Sequence, residues 1–256
     1  MTAALTVILL AVATAVSGCG LTDRLRVAVT STAVPFDRTP QTPVGAPDAH
    51  LADDPVVTAT RSSVVKVRGI SHSCQKILEG SGFVVASKRV MATAHEVAGT
   101  DSVSVEVDGT EYDAQVVSYD PNRDIAILDV PQLQAQPLPF AEDVAESGAD
   151  AILLGYPGGA EFTATPVRIR EYLELDGPDI YRTTTATREV YTIRGAVRQG
   201  SSGGPLIDLD GHALGVAFGA ATNDPDLGFV LTAREVASPL ATVGNTVPVS
   251  TGTCIG

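Results

Sequence analysis

The stretch Arg198-Gln199-Gly200-Ser201-Ser202-Gly203-Gly204-Pro205 is the most informative in the chain. Three glycines around a serine let the backbone turn sharply and hold the hydroxyl outward. They also aim the amides of Gly200 and Ser202 at one point, which stabilisation of a developing oxyanion requires. Ser202 is therefore a candidate nucleophile, with Gly200 and Ser202 as candidate oxyanion-hole donors. Taken alone, the same stretch also fits a flexible surface turn. A base elsewhere in the chain separates the two readings, because a serine hydroxyl at its own pKa is a feeble nucleophile.

Four histidines are available. His50 falls in a proline-rich segment, His72 in a loop two residues before Cys74, and His212 in a hairpin turn where a solvated role is simplest. His95 lies in Val90-Met91-Ala92-Thr93-Ala94-His95-Glu96-Val97-Ala98, where a strand closes in small residues and turns helical, a setting that holds an imidazole rigidly. A histidine base needs a carboxylate to fix its tautomer. In Tyr119-Asp120-Pro121-Asn122-Arg123-Asp124-Ile125-Ala126-Ile127-Leu128, Asp124 stands half-buried at the entrance to an apolar strand, whereas Asp120 before proline reads as a turn residue. The candidate triad is His95, Asp124 and Ser202, in that order along the chain.

The surroundings of these segments read as all-β. The 24 glycines, 16 prolines and absence of tryptophan favour short strands and tight turns over long helices. Apolar residues recur with period two or in short bursts at 64–68, 82–86, 103–107, 114–117 and 125–130. A second set follows at 151–154, 166–170, 191–194, 205–209, 213–218 and 228–231, after a quieter stretch at 132–139. Asp108-Gly109 and Asp210-Gly211 suit hairpins that need positive φ. Two antiparallel barrels of about six strands each account for the spacing. Only 233–243, capped by Thr232 and stopped by Gly244, reads as helix.

Composition narrows the partners. A formal net charge of −13 repels a phosphate backbone, so nucleic acid is excluded as a partner. Cysteines at 19, 74 and 254 lack the close spacing of a metal or redox site, so the reading includes no metal and no cofactor. Residues 3–16 form an uncharged run, too short as a helix for a ~30 Å hydrocarbon core. The run leads into Val16-Ser17-Gly18-Cys19, which resembles a lipobox with Cys19 as the lipidation site. Met1-Thr2-Ala3-Ala4 supplies none of the cations that export signals carry, so a short membrane anchor and a cut-off longer span stay open as alternatives. Each places the remainder outside the cytoplasmic membrane. Residues 20–60, with Pro35, Pro40, Pro43, Pro47 and Pro55, read as a linker, in which Asp54-Pro55 suits the start of a short helix. In an exported chain Cys74 and Cys254 favour a bridge; two free buried thiols are the alternative.

The phrases around His95, Asp124 and Ser202 resemble the trypsin-like serine peptidases. More closely, Cys74-Gln75-Lys76-Ile77-Leu78-Glu79-Gly80, Leu154-Gly155-Tyr156-Pro157-Gly158-Gly159, Phe162-Thr163-Ala164-Thr165-Pro166 and Gly228-Phe229-Val230-Leu231-Thr232-Ala233 are similar to the actinobacterial, MarP-like acid-resistance periplasmic serine proteases. The similarity runs from about Thr39 to the C-terminus. It implies a chymotrypsin-like double six-stranded antiparallel β-barrel with a short C-terminal helix, endopeptidase activity outside the membrane, and a Cys74–Cys254 disulfide. It also implies a substrate pocket with Ala196 as floor and Ala217-Phe218-Gly219 as wall; a register moved by a residue or two brings Arg194 or Arg198 there instead. Two residues near the site depart from the pattern: Ser201 replaces the usual acid before the nucleophile, and Glu96 replaces a small apolar residue after His95. Turned inward, Glu96 would shift the pKa of the base. The family's several membrane helices are replaced by residues 1–20.

The resulting expectation is an exported serine endopeptidase, tethered at the membrane through residues 1–19. Residues 20–60 form its linker and 61–256 its protease domain, divided into barrels at about 61–138 and 139–256. It would act as a monomer on protein or peptide substrates of the cell envelope, with acid stress as the setting that the resemblance implies. The competing reading is a catalytically silent pseudoprotease that serves as an envelope binding module.

Overall fold

In the computed structural model, residues 43–255 are described in full, together with the backbone of 26–28 and 32–34. The segment 1–19, with Cys19, lies outside the described residues. No helix of the described residues is long and apolar enough to cross a membrane. Two three-residue strands come first, β1 (Arg26–Ala28) and β2 (Thr32–Val34), followed by helix α1 (Pro55–Thr60).

The first barrel comprises β3 (Val64–Ser71), β4 (Lys76–Ala86), β5 (Arg89–Ala92), β6 (Ser102–Val107), β7 (Thr110–Asp120) and β8 (Ile125–Asp129). Its order is β4-β3-β6-β7-β8-β5, and pairing of β4 with β5 closes it. The second comprises β9 (Asp150–Gly155), β10 (Thr163–Pro178), β11 (Thr185–Arg194), β12 (Pro205–Ile207), β13 (Ala213–Ala221) and β14 (Leu227–Thr232). Its order is β12-β9-β10-β11-β14-β13, closed by β12 against β13. The two six-stranded antiparallel barrels of the chymotrypsin-like fold are thus both present, with β1 and β2 added as parallel edges to β4 and β13.

Three apolar clusters explain why these strands read as bursts and not as clean alternation. Val65, Val67, Val84, Val105, Ala126 and Leu128 fill the first barrel. Leu153, Val167, Tyr191, Ile193 and Leu206 belong to a cluster in the second. The third cluster joins Phe83, Met91, Ile125 and Ile127 of the first barrel to Leu154, Val216, Phe218 and Phe229 of the second. Strand β8 sends alternate residues to the first and third clusters, so both of its faces are apolar. Complete burial of each such side chain contributes roughly 1.5–3 kcal/mol, which makes the inter-barrel seam a main source of cohesion.

Three expectations need correction. Residues 44–60, expected as part of the linker, pack on the domain: Val57 joins the inter-barrel cluster, Leu51 and Val56 pack against it, and Arg194 donates to the Val44 carbonyl at 2.6 Å. The Asp54 cap does form, its carboxylate accepting the Val56 amide at 2.9 Å. The C-terminal helix α2 is only Ala237–Leu240, because Pro239 supplies no N–H to extend it; Thr232 still caps the turn before it, accepting the Glu235 amide at 3.1 Å. At Asp208 to His212 the hairpin is longer than two residues, since the Asp208 amide donates to the His212 carbonyl. Asp108-Gly109 is the two-residue turn expected, with φ of 48° and 78°.

Residues 249–255 run as a strap over the first barrel. The Val249 amide donates to the Val116 carbonyl at 2.9 Å, the Gly99 amide to Thr251 at 3.0 Å, and Lys76 Nζ to the Ile255 carbonyl at 2.8 Å. Cys254 is disulfide-bonded to Cys74, 180 residues away, with 6.3 Å between Cα atoms. Closing so long a loop stabilises the fold by about 2–4 kcal/mol, chiefly by restricting the unfolded chain. Reduction should therefore lower the melting temperature by on the order of 5–10 °C. Scanning calorimetry with and without reductant checks this; identical melting temperatures would contradict it.

Candidate active site

His95 sits in a single 3-10 turn, Ala94–Glu96, directly after β5, and Asp124 directly before β8. Because β5 and β8 pair, with Ala92 opposite Ala126, the two residues leave adjacent strands at the same end. Asp124 adopts φ of 62°, a left-handed conformation that Asp tolerates better than most residues. Its two carboxylate oxygens then serve one residue: Oδ1 accepts the His95 amide at 2.9 Å, and Oδ2 lies 2.7 Å from Nδ1. This pairing sets Nδ1 as the protonated nitrogen and turns Nε2 to the opposite side. The preceding turn is built as expected, with Asp120 accepting the amides of Asn122 and Arg123 at 3.0 and 2.9 Å. Arg123 also pairs with Glu235 at 3.2 Å, and Arg188 donates to the Asn122 carbonyl at 2.8 Å, so the second barrel grips the Asp124 loop.

Ser202 is 3% exposed. The carbonyls beside it show how its loop is aimed. In a trans peptide the C=O and N–H point in opposite directions. The Gln199 carbonyl accepts the Gly158 amide at 2.6 Å, which directs the Gly200 N–H the other way. Likewise the Ser201 carbonyl accepts the Gly204 amide at 3.1 Å and directs the N–H of Ser202. Gly200, at φ 85°, has no room for a side chain: a Cβ there would lie 2.5 Å from the Gly158 nitrogen.

A residue that sequence reasoning passed over holds this loop. Ser81 of β4 is fully buried; its amide donates to the Ser202 carbonyl at 2.9 Å and its hydroxyl to the Gly200 carbonyl at 2.6 Å. The same hydroxyl accepts the Tyr156 amide at 2.8 Å. Since β4 pairs with β5, Ser81 brings the Ser202 loop to the strand from which His95 emerges. The available signal was a serine between two glycines, Gly80 and Gly82, just before the apolar run of β4.

His95, Glu96 and Asp124 are each 1% exposed. Burial pushes the His95 pKa down, but the Asp124 charge and hydrogen bond outweigh it, with a smaller push from Glu96 when ionised, and leave it above its ordinary value. The other histidines sit elsewhere: His72 pairs with Asp101 and His212 with Asp208 at exposed positions, and His50 lies in the short turn before α1. Asp208, Asp210 and His212 come close to one another, but Asp208 Oδ1 already accepts the amides of Asp210 and His212 and Oδ2 faces His212 Nδ1 at 3.3 Å. Of the residues expected around a substrate pocket, Ala196 is half-buried beside Gly195. Ala217 and Phe218 turn inward to separate clusters, Phe218 beneath the Arg188 guanidinium, so that any surface they offer a peptide is backbone. Gly219 pairs with Phe229 and with Thr32 of β2.

Comparison with known proteins agrees with the fold. A family model described as a trypsin-like peptidase domain matches residues 80–216. The serine protease Rv3671c of Mycobacterium tuberculosis is 57% identical over 222 residues, 86% of this chain but 56% of that protein, so the chain spans little more than half of this relative. The crystal structure of the Rv3671c protease in its active form superposes with a TM-score of 0.84, covering 87% of this chain and 98% of that one. A probable periplasmic DegP-like serine endoprotease of Chlamydia trachomatis is 32% identical over 151 residues, 54% of this chain and 28% of that one.

Ser81→Ala strips one partner each from the Gly200 carbonyl and the Tyr156 amide. Leaving buried groups unpaired costs about 1–3 kcal/mol, and the loosened oxyanion loop should lower kcat/KM on a peptide by ten- to a hundredfold. Urea denaturation and peptide kinetics on the same sample check both numbers; a variant with unaltered kinetics would remove Ser81 from the argument.

Proposed function

The chain belongs to the trypsin-like peptidase family, and from that membership we propose that it is a serine endopeptidase with Ser202 as nucleophile. The observation that carries the reading is the double engagement of Asp124 with His95, at 2.9 and 2.7 Å, beside a loop whose pinned carbonyls aim the amides of Gly200 and Ser202 to one side.

The geometry supports the following course. His95 Nε2 takes the proton from Ser202 Oγ as that oxygen attacks the scissile carbonyl. Asp124 stabilises the imidazolium so formed, and the amides of Gly200 and Ser202 donate to the oxyanion. His95 then gives its proton to the departing amine, leaving an acyl-enzyme. Water, deprotonated by the same imidazole, releases the acid and restores Ser202. Ala196 and the backbone of Ala217-Phe218-Gly219 form the P1 pocket, whose uncharged floor selects uncharged side chains. The substrates are proteins of the cell envelope, the chain acts as a monomer outside the cytoplasmic membrane, and residues 1–19, through Cys19 or an apolar anchor, hold it there. The relative named as probably periplasmic and the uncharged run 3–16 support that location. The MarP-like resemblance makes acid stress the setting. A silent binding module has no use for a dry His95–Asp124 pair, whose burial is costly without a reaction to serve.

Fluorophosphonate labelling tests the reading: Ser202 should label and Ser202→Ala should not, whereas no labelling of folded, oxidised protein would favour the binding module. The raised His95 pKa gives a second expectation. Its imidazolium cannot act as base, so kcat/KM on a short peptide should fall about tenfold per pH unit below a midpoint above 6.5. A rate that stays flat to pH 5 would show that another group supplies the base.

A further inference from the structure

Glu96 is the ionisable residue of the cleft for which this mechanism has no task. It follows His95 and is fully buried, and neither carboxyl oxygen has a hydrogen-bond partner. The side chain fills space that two glycines leave open. A Cβ at Gly80 would overlap Oε1, and one at Gly203, the residue after the nucleophile, would lie 2.9 Å from Oε2. Gly203 itself has φ of 77° and lies so close to the Ser81 carbonyl that no side chain fits there. The carboxyl is therefore packed between β4 of the first barrel and the nucleophile loop of the second, one residue from the base.

We propose that Glu96 is a positioning residue that works in its neutral form: its protonated carboxyl seats Gly203, and with it Ser202, against His95, and its ionisation unseats them. The proposal rests on the peptidase reading of Ser202. A neutral carboxyl is an ordinary apolar-sized filler there, while a carboxylate in the same place is a dry charge with no donor in hydrogen-bonding geometry, which the cleft must open to hydrate.

The groups around Glu96 support this assignment. From its own turn, His95 favours the charged form only when cationic, and the Thr93 hydroxyl, with a smaller part from its amide, favours it from outside hydrogen-bonding geometry. From the start of β8, the Asp124 charge opposes it. From β4 the neighbouring Glu79 turns away to lie over Gly159, and the nucleophile loop meets the carboxyl at Gly203, which has no side chain. Burial dominates, and it pushes the Glu96 carboxyl up to about 8. Near neutrality Glu96 keeps its proton, so the seat is intact there.

The experiment compares wild type with Glu96→Gln and Glu96→Ala, by kcat/KM on a short peptide from pH 6 to 9.5, fluorophosphonate labelling, and melting temperature from pH 4.5 to 9. Wild-type kcat/KM should fall about tenfold between its plateau and pH 9, the range in which a group titrating near 8 loses its proton. Glu96→Gln, neutral and of the same shape, should keep activity within about threefold at pH 7 and abolish the alkaline fall; Glu96→Ala should lose activity at every pH. Stability reads the same titration with the opposite reference. A carboxyl whose folded pKa is raised from 4.5 to about 8 destabilises progressively across that range. The melting temperature of Glu96→Gln should therefore gain on wild type by several degrees from pH 5 to 8.5. An alkaline fall shared by wild type and Glu96→Gln would overturn the proposal, as would a wild-type rate that rises above pH 8. Failure of Ser202 to label at any pH, in protein with the expected melting behaviour, would overturn the peptidase reading and the seating of a nucleophile together. Labelling without a Glu96→Gln effect would overturn the seating alone.

Discussion

Everything in the cleft depends on one strand residue, Ser81, and the three hydrogen bonds it makes across the seam between the barrels. Neither barrel alone contains the candidate constellation: His95 and Asp124 belong to the first, Ser202 and the candidate oxyanion-hole amides to the second. Apolar packing of Phe83 and Met91 against the second barrel supplies cohesion, but it is non-directional and tolerates small slips. Directional bonds at 2.6, 2.8 and 2.9 Å do not. They fix the loop that bears the nucleophile to the strand that leads to the base. The hairpin of β10 and β11 and the strap 249–255 secure the far side, where Tyr119 and Tyr181 share a hydrogen bond at 2.7 Å and Tyr181 reaches the Thr251 carbonyl.

The sequence carried the two-barrel division because its signal is local. In β6 the burial alternates along the strand, and in β8 it does not, since both faces of β8 are covered. Both patterns are visible in five or six consecutive residues. Strands β10 and β11 proved longer than their apolar centres: the outer end of β10 alternates Leu173 and Leu175 with exposed Glu174 and Asp176, which dilutes hydrophobicity without breaking the period, and that of β11 begins in Thr185-Ala186-Thr187. The segment 43–60 misled for a physical reason. Its prolines argue against regular structure, yet irregular backbone can still pack, and Val57 and Leu51 do so.

The candidate triad residues stood out for the opposite reason from the strands: each has a chemical identity that narrows its roles, and each stands beside a turn signal. Ser81 and Glu96 carried no such mark. What makes Ser81 matter is a carbonyl 119 residues away, and what makes Glu96 matter is the space at Gly80 and Gly203, which no window of sequence brings together. Glu96 stood out only as a charge where an apolar residue was expected, and its inward turn depends on both glycines being present. A residue defined by the gap it fills becomes visible only when the walls of that gap are in place.

Acid separates the stability of this fold from its activity. The raised pKa of His95 means that its pairing with Asp124 stabilises the fold fully below 6.5 and fades as pH rises through the folded value. Glu96, also raised, ceases to oppose folding as pH falls from about 8 to 4.5. Both buried groups therefore favour the folded state on the acid side, where the base is protonated and turnover is low. The opposing contribution comes from carboxylates with lowered values, such as Asp179, whose carboxylate accepts the Thr183 amide and hydroxyl and whose stabilisation is lost only as pH drops below its ordinary value near 3.8. Between those limits a net charge of −13 also diminishes, relieving self-repulsion. Mild acid thus leaves the cleft assembled, and on the peptidase reading a loss of rate there comes from protonation of a single imidazole and needs no unfolding step.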